Sequence, residues 1–219
     1  MNGERYSMRK EIYLTQENKT GDVVGLTAFH INGLGKLKEF PELVRLKLTG
    51  GKIEDFTGLQ YCPKLSVLEI GLTEIGDFSS LGANQSIKEL TVAGYYENVI
   101  ETAWKMNQLE SLSVIYGTSE NPGKLKNLKK LRCLYLDKVR NSSDLMGILS
   151  LINLTRLKVN VPKKSDQEEI DTFLTSLKEQ LPKLNWLELG LQSYEFHPET
   201  LSGLKLKHFS VTGKNFTIA

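Results

Sequence analysis

Apolar residues recur along this chain with a period of 22. Leu43, Leu65, Ile87, Leu109 and Leu131 stand 22 apart, and each opens the same pattern, apolar-x-x-apolar-x-apolar. The units are Leu43/Leu46/Leu48, Leu65/Leu68/Ile70, Ile87/Leu90/Val92, Leu109/Leu112/Val114 and Leu131/Leu134/Leu136. The pattern continues at wider spacing through Leu154/Leu157/Val159, Leu184/Leu187/Leu189 and Leu206/Phe209/Val211. One period before Leu46 and Leu48 lie Val24 and Leu26, which fit the same two slots and bring the count to about nine repeats. Alternation within each unit marks a strand with one buried face. Apolar residues three apart follow it, as at Ile53/Phe56/Leu59 and Ile75/Phe78/Leu81, a spacing that suits a tight 3-10 or helical return.

Neither half of such a unit can bury its apolar face alone. Stacked neighbours share one continuous core, so the period predicts a solenoid. The expected fold class is α/β, with a curved parallel β-sheet on the concave face and 3-10 or α returns on the convex face. The interval from 131 to 154 is 23 residues and that from 154 to 184 is 30, and the extra length falls after the strand. There Ser165 and Glu168 have capping-box spacing, followed by Ile170, Phe173, Leu174, Leu177 and Leu181 on one face. This predicts a convex-side helix of about four turns. Shorter helices are expected at 97–106 and 144–151. Residues 1–20 do not fit the repeat and are assigned to an N-terminal extension or cap, with a short strand at Glu11–Leu14. Residues 21–219 form the repeat domain. Phe216–Ala219 either closes the last coil or marks a cut from a longer chain.

The pattern resembles the leucine-rich repeat family, and within it the bacterial 22-residue, internalin-like class. The best single unit runs Leu65-Ser-Val-Leu68-Glu-Ile70-Gly-Leu-Thr-Glu-Ile75-Gly-Asp77-Phe78-Ser-Ser-Leu81, and the resemblance covers roughly residues 21 to 216. It implies a binding scaffold. There is one departure: where the family places Asn, this chain has Phe29, Gly51, Thr73, Tyr95 and Gly117. Water or local backbone bonding must then satisfy the turns that an amide ladder would otherwise hold.

Composition narrows the function classes. A net charge of +2 from 28 basic and 26 acidic residues makes no case for nucleic acid or a membrane surface. No apolar run approaches the roughly 18 residues of a membrane span, and Met1–Lys10 lacks the apolar stretch of a signal peptide. Cys62 and Cys133 lie more than three repeats apart, too far for a disulfide. These features point to the cytoplasm, the alternative being a secreted or surface protein whose signal has been trimmed.

Candidate chemistry sits on the sheet face. Between the buried positions of each strand lie outward residues, stacked in rows at about 4.8 Å per coil. One row runs Arg45, Val67, Glu89, Ser111, Cys133, Arg156, Trp186 and His208, the next Lys47, Glu69, Thr91, Ser113, Tyr135, Lys158 and Glu188, and Asp137 stands in a third with Thr212. Trp186 leads because an exposed tryptophan is a typical interface anchor; its alternative is packing on Arg156. Tyr135, Asp137, Arg156, Lys158, Glu188 and His208 surround it. Arg45 and Lys47, with Glu69, form a basic spot at the other end. Small residues between them leave a smooth trough. Phe29, Tyr95, Tyr96, Tyr116 and Tyr194 crowd the loops after the strands, either stacking inward in place of the amide ladder or contacting a partner.

No catalytic set is visible. The histidines are His30, His197 and His208, and Cys133 lies three coils from His208, roughly 14 Å and beyond hydrogen-bond contact. Cys133 reads first as a small residue on a flat sheet; the alternative is a reactive thiol whose pKa Arg156 beside it would lower somewhat. No metal-spaced cluster, cofactor motif or phosphate loop appears. The expected function is a non-catalytic module that binds a protein partner on the concave sheet, with an inhibitor or immunity-type role as one concrete form. The alternatives are an ectodomain fragment of a secreted or surface adhesin or receptor, and a recognition arm of an enzyme. Oligomeric state is left open.

Overall fold

The computed structural model describes residues 11–162, 164–191 and 194–211 together with the strand residues 214–215. The first ten residues, Thr212 and Phe216–Ala219 lie outside the described residues. Within them one open sheet of twelve strands runs the length of the molecule. The strands are β1 (Ile12–Glu17), β2 (Val23–Asn32), β3 (Arg45–Ile53), β4 (Val67–Gly71), β5 (Glu74–Ile75), β6 (Glu89–Ala93), β7 (Ser111–Ser119), β8 (Cys133–Val139), β9 (Arg156–Asn160), β10 (Trp186–Gly190), β11 (His208–Val211) and β12 (Lys214–Asn215). Sequential strands from β2 to β11 pair in parallel, apart from the two-residue β5, which joins β3. β1 and β12 pair antiparallel at the two ends.

The 22-residue period is the register of the sheet. Leu46 pairs with Leu68, Leu68 with Leu90, Leu90 with Leu112 and Leu112 with Leu134. The inward residues Leu46, Leu68, Leu90, Leu112, Leu134, Leu157 and Leu187 are all buried. The opposite wall is made by the returns. Leu37, Leu59, Leu81, Ala103 and Leu125, again 22 apart, are buried there, the first three and the last on 3-10 turns and Ala103 at the end of α1 (Val99–Ala103). One core therefore runs unbroken through every coil. Ahead of the strands, backbone N–H groups form a second continuous ladder: Ser66 donates to Val44, Lys88 to Ser66, Glu110 to Lys88 and Arg132 to Glu110.

The first coil departs from the period. Leu26 pairs with Leu46 and Ala28 with Leu48, an offset of 20, so Leu26 and Ala28 rather than Val24 and Leu26 fill the two inward slots. A slip of two residues keeps the same face buried, because side chains alternate with period two, so apolar pattern alone does not choose between the registers. The cap chooses. Asn18 accepts hydrogen bonds from the Thr20 and Asp22 backbone and closes a turn that lays β1 against β2. Gln16 then covers Gly25, with room for no more than its own side chain.

The long interval after β9 holds α3 (Gln167–Gln180), with Ile170, Phe173, Leu174 and Leu177 buried. Its capping box lies one residue later than the sequence implies: Asp166 accepts from the Glu169 N–H, and Glu169 answers to the Asp166 N–H. Ser165 is instead buried, its hydroxyl 3.1 Å from that of Ser142 on the neighbouring coil. The helix expected near 144–151 is α2 (Ser142–Gly147), continued by a 3-10 turn at Ile148–Ser150.

The missing amide ladder is replaced piecemeal. The Tyr96 hydroxyl accepts from the Thr73 N–H at 2.9 Å and donates to the Thr73 carbonyl at 2.7 Å. Leu72 N–H donates to Ala93 O, and Gly94 N–H to Ile115 O. Tyr194 reaches the carbonyls of Pro162 and Ser165 in the same way. Tyr96 and Tyr194 are thus inward, structural aromatics, whereas Tyr95 and Tyr116 are exposed.

Candidate functional site

The outward rows of the sheet divide into two groups. At the N-terminal end Lys47 Nζ lies 3.1 Å from Glu69. With Arg45, Val67 and the cap residues Leu14 and Gln16 they line a cavity of about 250 Å³. Five strand steps separate Arg45 on β3 from Arg156 on β9, about 24 Å, so the candidate residues are two sites rather than one.

The C-terminal group is compact. Strand pairing sets Arg156, Trp186 and His208 directly beside one another, and Lys158 beside Glu188. The Trp186 and His208 rings stack with centroids 4.7 Å apart and planes 16° from parallel. The Arg156 guanidinium lies 5.8 Å from the Trp186 ring on the other side. Lys158 stands 4.8 Å over the Tyr135 ring and 2.8 Å from Glu188. Glu188 also faces His208 Nε2 at 3.3 Å. Its hydrogen bond is the main reason the Lys158 ammonium is held charged, above the usual lysine range, against the opposing effect of burial. A half-buried tryptophan sandwiched between a guanidinium and an imidazole is a rigid, flat anchor. Packing on Arg156 and partial exposure of the side chain coexist here.

Asp137 stands close enough to Tyr135 and Lys158 to act on both, and it also holds a turn. Its carboxylate accepts from the Tyr116 N–H at 3.1 Å and from Asn160 Nδ2 at 3.0 Å, linking the ends of β7, β8 and β9. Those bonds give it a turn-holding role in addition to its place in the outward row. Cys133 departs from the alternative of a lowered thiol pKa. Burial outweighs the neighbouring Arg156, so its thiol pKa is raised, not lowered. Cys62 is fully buried and pushed up to about 11. Both are free thiols. At pH 8 iodoacetamide is expected to modify native Cys133 more slowly than free cysteine and Cys62 not at all, while both react in denaturant. Mass spectrometry of the time course checks this, and rapid labelling of Cys62 in the native protein would contradict the packing around it.

Among the described residues no group of three His, Cys, Asp or Glu side chains is placed to hold a metal ion. No described helix is long and apolar enough to cross a membrane.

Sequence reasoning did not single out Leu72, which is among the most exposed large apolar side chains of the molecule. A signal was present: the residues 22 apart in its column are Gly50, Gly94 and Tyr116, and two glycines in a column mark a left-handed backbone position.

No protein-family model matches the chain, and no curated protein matches it. Solved structures do. An internalin C2 from Listeria monocytogenes superposes with a TM-score of 0.64 at 23% identity, over 87% of this chain and 81% of that one. An internalin (InlF) from the same organism gives 0.56 at 18%, over 88% and 71%. The Arabidopsis receptor kinase HAESA, solved with a peptide hormone and a co-receptor, gives 0.56 at 19%, over 87% of this chain and 32% of that one. The fold is a leucine-rich repeat solenoid of the internalin-like kind, with its parallel sheet on the concave side.

Proposed function

We propose that the protein is a non-catalytic module that binds a partner protein on its concave sheet, anchored by the platform around Trp186. The observation that carries this reading is the Arg156–Trp186–His208 stack on an otherwise small-residue trough. A pre-stacked ring contributes contact area without ordering on binding. Arg156 has no ion pair within the described residues, whereas Lys158, Glu188 and Lys47 each have one. The partner therefore presents an acidic group opposite Arg156. A reducing compartment suits the two free cysteines, and an inhibitor or immunity-type role is the form this module takes in that setting. The second reading, an ectodomain fragment of a surface receptor or adhesin, is favoured by the likeness to a receptor kinase solved with a peptide hormone.

The test is capture from the source organism's lysate by the native chain and by its Trp186→Ala/Arg156→Glu variant, with circular dichroism showing both folded. A protein held by the first and weakened at least ~30-fold in the second, the effect of losing a hot spot of about 2 kcal/mol or more, is the expected result. Equal capture by both removes the concave platform from the function. A precursor gene carrying an export signal selects the second reading over the first.

A further inference from the structure

At the far ends of the strands the chain turns through left-handed backbone at Gly50, Leu72 and Tyr116, while Gly94 in the same column is nearer extended at φ 159°. The backbone there is needed. Leu72 N–H donates to Ala93 O at 3.2 Å, Gly94 N–H to Ile115 O at 2.9 Å, and Tyr116 N–H to Asp137 Oδ2 at 3.1 Å. Glycine meets that requirement at 50. Leu72 (φ 54°) and Tyr116 (φ 66°) meet it at a steric cost that glycine does not carry. Burial does not offset the cost, because Leu72 is 77% exposed and Tyr116 57%. Tyr95, between them in the stack, is 86% exposed. Three consecutive coils, about 4.8 Å apart, therefore hold a strip of large apolar side chains that neither the turn nor the core uses.

Beside the strip lies a groove of about 450 Å³, lined among others by Tyr95, Tyr96, Glu97, Glu101, Glu120 and Arg140. Arg140 pairs with Glu120, and Lys124 from outside the groove pairs with Glu101. Glu97 is exposed and has no ion pair among the described residues. With Glu101 and Glu120 already paired, Glu97, beside the two tyrosines of the lining, is the carboxylate left to take a cation.

We propose that this rim is a second docking site, taking a segment of a partner protein in which an arginine or lysine stands between apolar side chains. The cation enters the groove against Glu97 and the face of Tyr95. Its apolar neighbours rest on Leu72 and Tyr116. The site is about four strand steps from Trp186, roughly 19 Å, so it acts independently of the concave platform.

Two measurements test the proposal. The first is stability of Leu72→Gly/Tyr116→Gly. Side chains retained for contact rather than for folding predict a Tm unchanged or raised by a few degrees, because glycine relieves the left-handed strain. A lowered Tm means that the side chains serve the fold, and the proposal fails. The second is titration with the end-blocked peptide Gly-Leu-Arg-Phe-Lys-Gly and its counterpart with Glu in place of Arg and Lys, followed by NMR. Saturable shifts at Leu72, Tyr95 and Tyr116 with the cationic peptide are expected. They weaken about tenfold in Glu97→Gln, vanish in the glycine variant and persist in Trp186→Ala. No shifts, equal binding of both peptides, or concentration-dependent self-association lost in the glycine variant would each overturn it, the last by making a second copy of the chain the occupant.

Discussion

Gly51→Ala is expected to cost more than about 3 kcal/mol, in the range where a single substitution signals strain or a backbone clash. Gly51 sits at φ 87° in β3, paired with Ile31 of β2. A Cβ there would lie 2.2 Å from the Ile31 carbonyl oxygen, 2.4 Å from the Ile31 nitrogen and 2.6 Å from the His30 carbonyl carbon. All three atoms are backbone and part of the β2–β3 pairing, so relief requires breaking it. Gly21 provides the control. Its φ is 86°, almost the same, but a Cβ there meets nothing within 4 Å. Gly21→Ala is therefore expected to lose only the left-handed penalty, about 1–2 kcal/mol. Urea unfolding separates the two. A smaller slope for Gly51→Ala, alongside its loss of midpoint, would show the cap and first coil opening ahead of the rest, as nearest-neighbour stacking allows. Equal costs at the two glycines would exclude the close approach as the cause.

Phe173→Ala is expected to cost about 3–5 kcal/mol. Phe173 is the largest of the fully buried side chains and stands at the centre of the apolar face of α3. That helix fills the 30-residue interval between β9 and β10, the two strands that carry Arg156, Lys158, Trp186 and Glu188. Truncation leaves a cavity in the core between α3 and its neighbouring returns, which relaxation closes only in part. Phe173→Leu keeps most of the volume and is expected to cost under about 2 kcal/mol. Trp186→Ala offers the contrast: the ring is half-exposed on the sheet surface, so its removal is expected to change the unfolding midpoint far less than Phe173→Ala. Chemical denaturation of the three variants checks the order. A Phe173→Ala cost below about 1 kcal/mol would mean that α3 is not packed as the structure has it.

Much of this architecture was legible in the residues. Leu46, Leu68, Leu90 and Leu112 reveal the register because neighbouring coils must place the same apolar slot at the same depth. The capping motif near 165 announces α3, and the reading missed only which of two adjacent polar residues caps it. Asp166 wins because its carboxylate is positioned for the Glu169 N–H, while Ser165 is drawn to Ser142 across the coil boundary. The outward rows were also legible, and so was the contact of Arg156 with Trp186, since parallel pairing in register makes them neighbours. The alternative of a lowered thiol pKa at Cys133 fails because proximity to a cation is visible in a row, whereas the depth at which the thiol sits is not. The turn-holding role of Asp137 was not legible, for a related reason. A residue at the last outward slot can face either the sheet or the turn, and the partner that fixed it, the Tyr116 N–H, is a backbone group.

What the sequence determined by itself is the solenoid: its period, its buried columns and the row order of its concave face. Each of these follows from repetition, which needs no knowledge of distant contacts. What only the tertiary structure decided is where the repeat is broken. The two-residue shift of β2 is set by the cap strand, because period-two alternation buries the same face in either register. The inward or outward fate of Tyr95 and Tyr96 is set by whether a hydroxyl finds the Thr73 backbone. The left-handed backbone beneath Leu72 and Tyr116 is set by hydrogen bonds to the next coil. All three depend on unpaired backbone groups finding partners across coils, and a linear pattern of side chains does not record where those groups lie.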